Sequence, residues 1–204
     1  MPRSKVISQQ MRERSRAQIL EAGRKLFARQ GFFNCKAADI AREAGMSQGN
    51  LYWYFPSKDE VLKAILADGF ARIEVVLAGA SGHPGSGREK MAFLLQGYTA
   101  FLREFGDFSV IFISIMGHGG MPLLRELGFD TPQIGMGYHR HLQAILSQAQ
   151  QEGLLPGENL EVLPVFFFSF FNGMMLTYAN DWTRIPPEQI ESAVWRMLGF
   201  REEA

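Results

Sequence analysis

The chain has 204 residues and carries 21 basic against 21 acidic side chains, a formal net charge of zero. That length buries a sizeable core in one or two domains, and a single cysteine, Cys35, excludes an intramolecular disulfide framework and suits a reducing cytoplasm. Residues 1–18 lack the apolar core of a signal peptide, and the most apolar run, Val165 to Ala179, is shorter than the roughly 20 residues a membrane-spanning helix needs, so no membrane partner is expected.

Read in chain order, the pattern is helical throughout, with no alternating stretch that indicates a sheet. Residues 1–13 are polar and contain Arg3, Lys5 and Arg12, which predicts a flexible basic arm. Ile19, Ala22, Gly23, Leu26 and Phe27 mark an amphipathic helix ending at Gly31. Asp39 to Ala44 predicts a short helix with Ile40, Ala41 and Ala44 on one face, stopped by Gly45. Ser47 is placed to cap the next helix, only about two turns long, which carries Gln48, Gly49, Asn50, Tyr52, Trp53 and Tyr54. So many amide and aromatic groups make a poor core element and a good contact surface. After Pro56, the pattern Ser57-Lys58-Asp59-Glu60 reads as a capping box opening a long helix with Val61, Leu62, Ile65 and Leu66 at helical spacing.

Glycine-rich residues 79–87 read as a loop. Helices are predicted at about 88–105 and 107–116, with a break over Gly117–Gly120, then at about 121–127, 131–153, 158–181 and 187–200. The order helix, tight turn, short helix, turn, long helix over residues 39–66 is a helix-turn-helix whose second helix enters a DNA major groove. Charge follows that reading. Residues 1–60 hold 11 Lys/Arg and 6 Asp/Glu, a net of +5, and residues 61–204 hold 10 and 15, a net of −5. A basic head on an acidic body suits a protein that docks one end onto a polyanion.

Gly31-Phe32-Phe33, Asp39-Ile40-Ala41-Arg42-Glu43-Ala44-Gly45-Met46-Ser47, Gly49-Asn50-Leu51-Tyr52 and Tyr54-Phe55-Pro56-Ser57-Lys58 resemble the DNA-binding domain of the tetracycline-repressor (TetR) family. The resemblance covers residues 14 to 66; the remainder fits the family in length and helical character. It implies an all-α fold, with a helix-turn-helix domain over residues 14–62 and a larger ligand-binding and dimerisation domain over 63–204. By this resemblance Ser47, Gln48, Gly49, Asn50, Tyr52, Trp53, Tyr54 and Lys58 match positions that meet DNA. Physically, Gln48 and Asn50 carry amides suited to adenine, Gly49 lets the backbone approach a base edge, the tyrosine hydroxyls suit phosphate, and Lys58 lies at a helix start. Leu51 and Phe55 are expected inside. Trp53 reads either as a DNA contact or as packing on the first helix, and Arg12, Arg14 and Arg16 either as phosphate or minor-groove contacts or as a solvated face. One departure stands out: where family members often present hydroxyls, at the start of the second helix, this chain has Cys35-Lys36-Ala37-Ala38, which leaves that contact missing or made by Lys36.

Other chemistries are poorly supported. Gly45-Met46-Ser47-Gln48-Gly49 matches a serine-hydrolase elbow in letters, but that turn needs a preceding strand and a helix precedes it here. His139 and His141 lie two apart, on different sides of a helix, without a cysteine or acidic cluster, so no metal site is expected. The glycine loop ends without the Gly-Lys-Ser/Thr of a phosphate loop, and no cofactor is expected.

The C-terminal part has two expected tasks. The resemblance implies that the last two helices pair with their mates in a homodimer, through Phe166, Phe170, Ile190, Val194, Trp195 and Leu198. It also implies a small-molecule effector that shifts the DNA heads. Phe105, Phe108, Phe112, Met116, Met136, Phe167, Met175, Tyr178 and Trp182 are candidate apolar lining, with His118 and Asn172 as polar contacts. The resulting expectation is a non-enzymatic DNA-binding transcriptional regulator, a repressor released from a palindromic double-stranded operator by a largely apolar ligand. Two other readings stay open: a helical ligand carrier or enzyme with a relic DNA-binding head, and a regulator controlled by a protein partner.

Overall fold

The computed structural model describes residues 2–157, 160–178 and 185–201, with side chains from residue 9 onward and excepting that of Tyr178. The regular structure among these residues is helical: α1 Pro2–Gln30, α2 Ala37–Glu43, α3 Gln48–Tyr54, α4 Lys58–Gly82, α5 Gly87–Gly117, α6 Met121–Glu126, α7 Thr131–Gln151, α8 Leu163–Tyr178 and α9 Pro187–Leu198. The chain falls into two compact units, Met1–Asp68 with Val110–Gly128, and Gly69–Ser109 with Phe129–Ala204, so α4 and α5 each contribute to both.

In the first unit α1 buries Ile19, Ala22, Leu26 and Phe27, the face that helical spacing predicts. Gly31 ends it at φ +81°, and the Phe32 ring then turns its edge to Phe27 at 5.2 Å between centroids. α2 buries Ile40 and Ala41 and stops at Gly45, φ +68°, where the Met46 amide donates to the Ala41 carbonyl at 2.9 Å. Leu51 of α3, Phe55 after it, and Val61, Leu62, Ile65 and Leu66 of α4 close the core. Gly23 is required by packing, because a Cβ there would lie 2.8 Å from a Val61 methyl.

The second unit is centred on aromatic packing. Tyr98 of α5 and Phe167 and Phe171 of α8 are buried together, with the Tyr98 and Phe171 ring centroids 4.9 Å apart. α7 adds Leu142, Ile145 and Leu146, and α9 adds Ile190, Val194 and Leu198. Burial pushes the Tyr98 phenol well above its ordinary titration range.

Three local expectations differ from the structure. Residues 2–13, read from sequence as a basic arm, have the backbone of the first turns of α1; they contain good helix formers and no interior glycine, and the Gln9 amide donates to Glu13 at 3.1 Å one turn on. Of the predicted loop 79–87, residues 79–82 belong to α4, where Ala80 is fully buried and Gly79 keeps an ordinary helical backbone. The two helices predicted at 88–105 and 107–116 are one, α5, with the expected junction surviving as a kink at Phe105 (φ −125°, ψ 24°).

Candidate nucleic-acid interface

α3 is presented on a short, well-capped scaffold. Ser47 is its N-cap, accepting from the Asn50 amide at 3.2 Å, and Ser57 caps α4 by accepting from the Glu60 amide at 3.2 Å. With Leu51 and Phe55 turned inward, Ser47, Gln48, Gly49, Asn50, Tyr52 and Trp53 are exposed and Tyr54 is half-buried. The Gln48 amide donates to the Tyr52 hydroxyl at 3.2 Å, which holds both polar groups on one side of the helix. Gly49 has no packing reason to be glycine: a Cβ there would meet nothing within 4 Å.

Trp53 is 61% exposed, with its ring edge-on to Tyr54, and it meets α1 through Arg12, whose guanidinium lies 5.1 Å from its centroid. Arg16 lies similarly over Phe55, at 5.0 Å. Both arginines thus flank the exposed surface of α3, a placement that the helical continuity of α1 supplies and a flexible arm would not.

Lys58 has an occupation the sequence did not reveal. Its ammonium donates to the carbonyls of Phe32 and Cys35, each at 2.9 Å, and lies 4.3 Å from the Phe32 ring centroid. Two of three ammonium donors are thereby engaged in tying α4 to the turn between α1 and α2. Lys36, by contrast, is exposed at the start of α2, where Asp39 accepts from its backbone amide at 3.0 Å and from Arg42 at 2.7 Å. Cys35 is buried beside it, and burial raises its thiol titration, which makes it a packing residue instead of a reactive one.

The residues expected to line an effector pocket scatter. Phe108, Phe167 and Met175 are buried in close packing, Phe112 is half-buried, and Met116, His118, Met136 and Asn172 are exposed. His118 turns its Nδ1 to the Ser114 carbonyl at 2.8 Å. The Tyr178 side chain and all of Trp182 lie outside the described residues. Among the described members of that set, Phe105 borders a cavity in the second unit, an open groove of about 370 Å³ between α4 and α5 lined also by Arg72, Val75, Val76, Phe101 and Glu104. Helical spacing identifies an apolar face but does not say whether that face is filled by a neighbour or left open.

The residues expected at a dimer interface also divide. Ile190, Val194 and Leu198 are consumed by the protomer's own core and offer no surface, because the apolar stripe of α9 faces α8. Trp195 is half-buried, with its ring 4.7 Å from Phe200 and the Arg88 guanidinium 5.2 Å from its centroid. Phe170 is half-buried against Phe171 at 5.3 Å. Phe166 is exposed, as are Val162 and Val165 near it and Leu176 further along α8, beyond the exposed Ser169, Asn172 and Gly173. No group of three or more potential metal ligands occurs among the described residues, and none of their helices is long and apolar enough to cross a membrane.

Residues 19–65 match the model of bacterial regulatory proteins of the tetR family. Along its length the chain is similar to the helix-turn-helix transcriptional regulator TtgR of Pseudomonas putida, 37% identical over 186 residues that span 85% of this chain and 82% of that one. It is 26% identical over 186 residues to the probable helix-turn-helix regulator ArpR of Pseudomonas putida, with the same coverage. The TetR-family regulator PfmR of Thermus thermophilus shares the fold with a TM-score of 0.70, covering 91% of this chain and 96% of its own at 19% identity. The likeness to TtgR runs well beyond the reading head, through helices whose packing the head alone would not dictate: the chain belongs to the TetR family of bacterial regulatory proteins, which are not enzymes, and is a sequence-specific DNA-binding transcriptional regulator.

Proposed function

We propose that the chain is a cytoplasmic homodimer that represses transcription from a palindromic operator and releases it when a small, largely apolar ligand binds. The observation that carries the reading is the exposed surface of α3, where Gln48, Asn50, Tyr52 and Trp53 surround a glycine with no structural need to be one. Gln48 and Asn50 are the base-reading side chains, through amides that pair with adenine. Ser47, Tyr52, Tyr54 and Lys36 meet phosphate, Trp53 and Arg12 meet the backbone together, and Lys58 contributes its charge and its helix-start amide.

A two-turn helix reads few bases, so a twofold dimer reading two half-sites fits the size of the surface. Exposed Val162, Val165 and Phe166, with Leu176 further along, support a mate at α8, since clustered large apolar side chains in water mark an interaction surface. The open α4–α5 groove, lined by Val75, Val76, Phe101 and Phe105 with Arg72 and Glu104 also on its wall, supports a ligand that is largely apolar. Such a ligand acts by favouring the conformation whose two heads do not fit the half-site spacing.

Sedimentation of the protein with its selected operator, together with transcription from a template carrying that operator across its promoter, tests the proposal. Two chains per palindrome and reduced transcript are expected. One chain per site, or increased transcript, would contradict it.

A further inference from the structure

Three side chains in the second unit form a chain of contacts that the DNA-reading role does not use. His141 of α7 places Nε2 3.0 Å from a Glu74 carboxylate oxygen and Nδ1 2.8 Å from the Ser81 hydroxyl. Glu74 and Ser81 lie seven residues apart on α4, so one imidazole grips two turns of the same face. Ser81 has a second outlet: its hydroxyl is also 3.1 Å from the Ala78 carbonyl. The trio has the composition of a hydrolytic triad, but Ser81 occupies the last turn of a helix, which presents carbonyl oxygens and so has the wrong polarity to hold an oxyanion.

We infer that Ser81, His141 and Glu74 form a proton-operated latch that fastens the C-terminal half of α4 to α7 more tightly as pH falls. With neutral imidazole, Nε2–H donates to Glu74 and Nδ1 accepts the Ser81 hydroxyl. With imidazolium, both ring N–H groups donate, and Ser81 turns its own proton to the Ala78 carbonyl. No polar group is stranded in either state, so protonation converts a neutral contact into an ion pair without breaking the chain.

Within the contact chain itself His141 is the histidine; His139 beside it and His83, two residues beyond Ser81, lie outside it. On α4 the facing charge is Glu74. On α5 it is Lys90, whose ammonium donates to the Ser81 carbonyl at 3.1 Å. On α7 the neighbours are Tyr138, His139 and Arg140. Tyr138 donates to the Phe70 carbonyl at 2.8 Å and is pushed by burial, then by Glu74, above its ordinary range, so it stays neutral. His139 stacks on Phe168 with ring centroids 5.5 Å apart. The described side chains of α8 include no ionisable group. Histidine changes charge between about pH 5 and 8. The ion pair exists only with a charged imidazole, so its contribution is greater at the acid end of that window than at the alkaline end.

The test is denaturant unfolding of the full chain at fixed protein concentration, at pH 5.5 and pH 8, for wild type, His141→Gln, Glu74→Gln and the double variant. It needs no DNA, so its outcome is separate from that of the operator proposal. The coupling between the two positions is expected to be roughly threefold larger in the unfolding constant at pH 5.5 than at pH 8, the scale of a partly exposed ion pair. Hydrogen exchange should place the extra protection at residues 74–82. If His141→Gln does not fold, Glu74→Gln, an exposed site, carries the test alone: its cost must grow as pH falls from 8 to 5.5. Equal coupling, or equal cost of Glu74→Gln, at both pH values would overturn the latch.

Discussion

The Lys58 ammonium sits under the Phe32 ring and against the Phe32 carbonyl, 4.3 Å from the ring centroid and 2.9 Å from the oxygen. A side chain that sequence assigns to DNA thus also braces the head that holds α3. Lys58→Ala should lower the stability of the first unit by about 1–2 kcal/mol, the range for bonds from a charged donor at a site half open to solvent. Thermal unfolding measures it. Binding to all DNA sequences should weaken together, with the salt slope reduced by at most about one unit. An unchanged melting temperature would mean that the two carbonyl contacts contribute nothing.

Gly49→Ala separates folding from reading. The added methyl meets nothing within 4 Å of the protein, and alanine suits a helix better than glycine by up to about 1 kcal/mol. The variant should therefore be as stable as wild type or more so, yet bind operator at least tenfold more weakly, because the methyl holds α3 off the base edges. Titration of fluorescent operator by both proteins checks this. Undiminished affinity would show that the backbone at Gly49 does not approach DNA.

Gln48→Ala and Asn50→Ala should alter which sequence is preferred. Each good amide–adenine pair discriminates by about 1–3 kcal/mol against a wrong base. Competition between the selected operator and single-base variants reads the change position by position. Neither residue is a base reader if both variants keep the wild-type order of preference.

What the sequence disclosed and what it hid divide along a physical line. Gly31, Gly45, Ser47 and Ser57 each punctuate the chain through their own backbone or hydroxyl, and the helices they bound lie where local chemistry puts them. Leu51 points inward as the apolar member of its two-turn helix, and Phe55 follows it into the core from the extended residue that ends α3. Partner choice across distance was not legible. Nothing local to Lys58 announces that carbonyls 26 and 23 residues earlier take its protons. The apolar residues of α9 could face a mate or the protomer's own α8 with the same periodicity. The helical backbone of residues 2–13 was hidden for a different reason: polar residues with good helix propensity look alike whether they continue a helix or fray from it.

The division of α8 and α9 makes a dimer prediction. Phe166→Glu, at an exposed position of α8, should leave the protomer folded and shift it to monomer by placing a charge in a desolvated contact. Val194→Ala, fully buried, should instead cost about 1–3 kcal/mol of stability through lost packing, with the oligomeric state kept. Sedimentation velocity beside thermal unfolding distinguishes the two. A Phe166→Glu protein that stays dimeric would place the mate on another face.

That an exposed two-turn helix on a dimer reads a palindrome is tested most directly by selecting DNA from a random library with the purified protein at two salt concentrations. A palindromic winner is expected, its affinity falling steeply with salt as phosphate contacts from two heads require. Enrichment of a single unrepeated half-site, or weak binding indifferent to sequence, would contradict it.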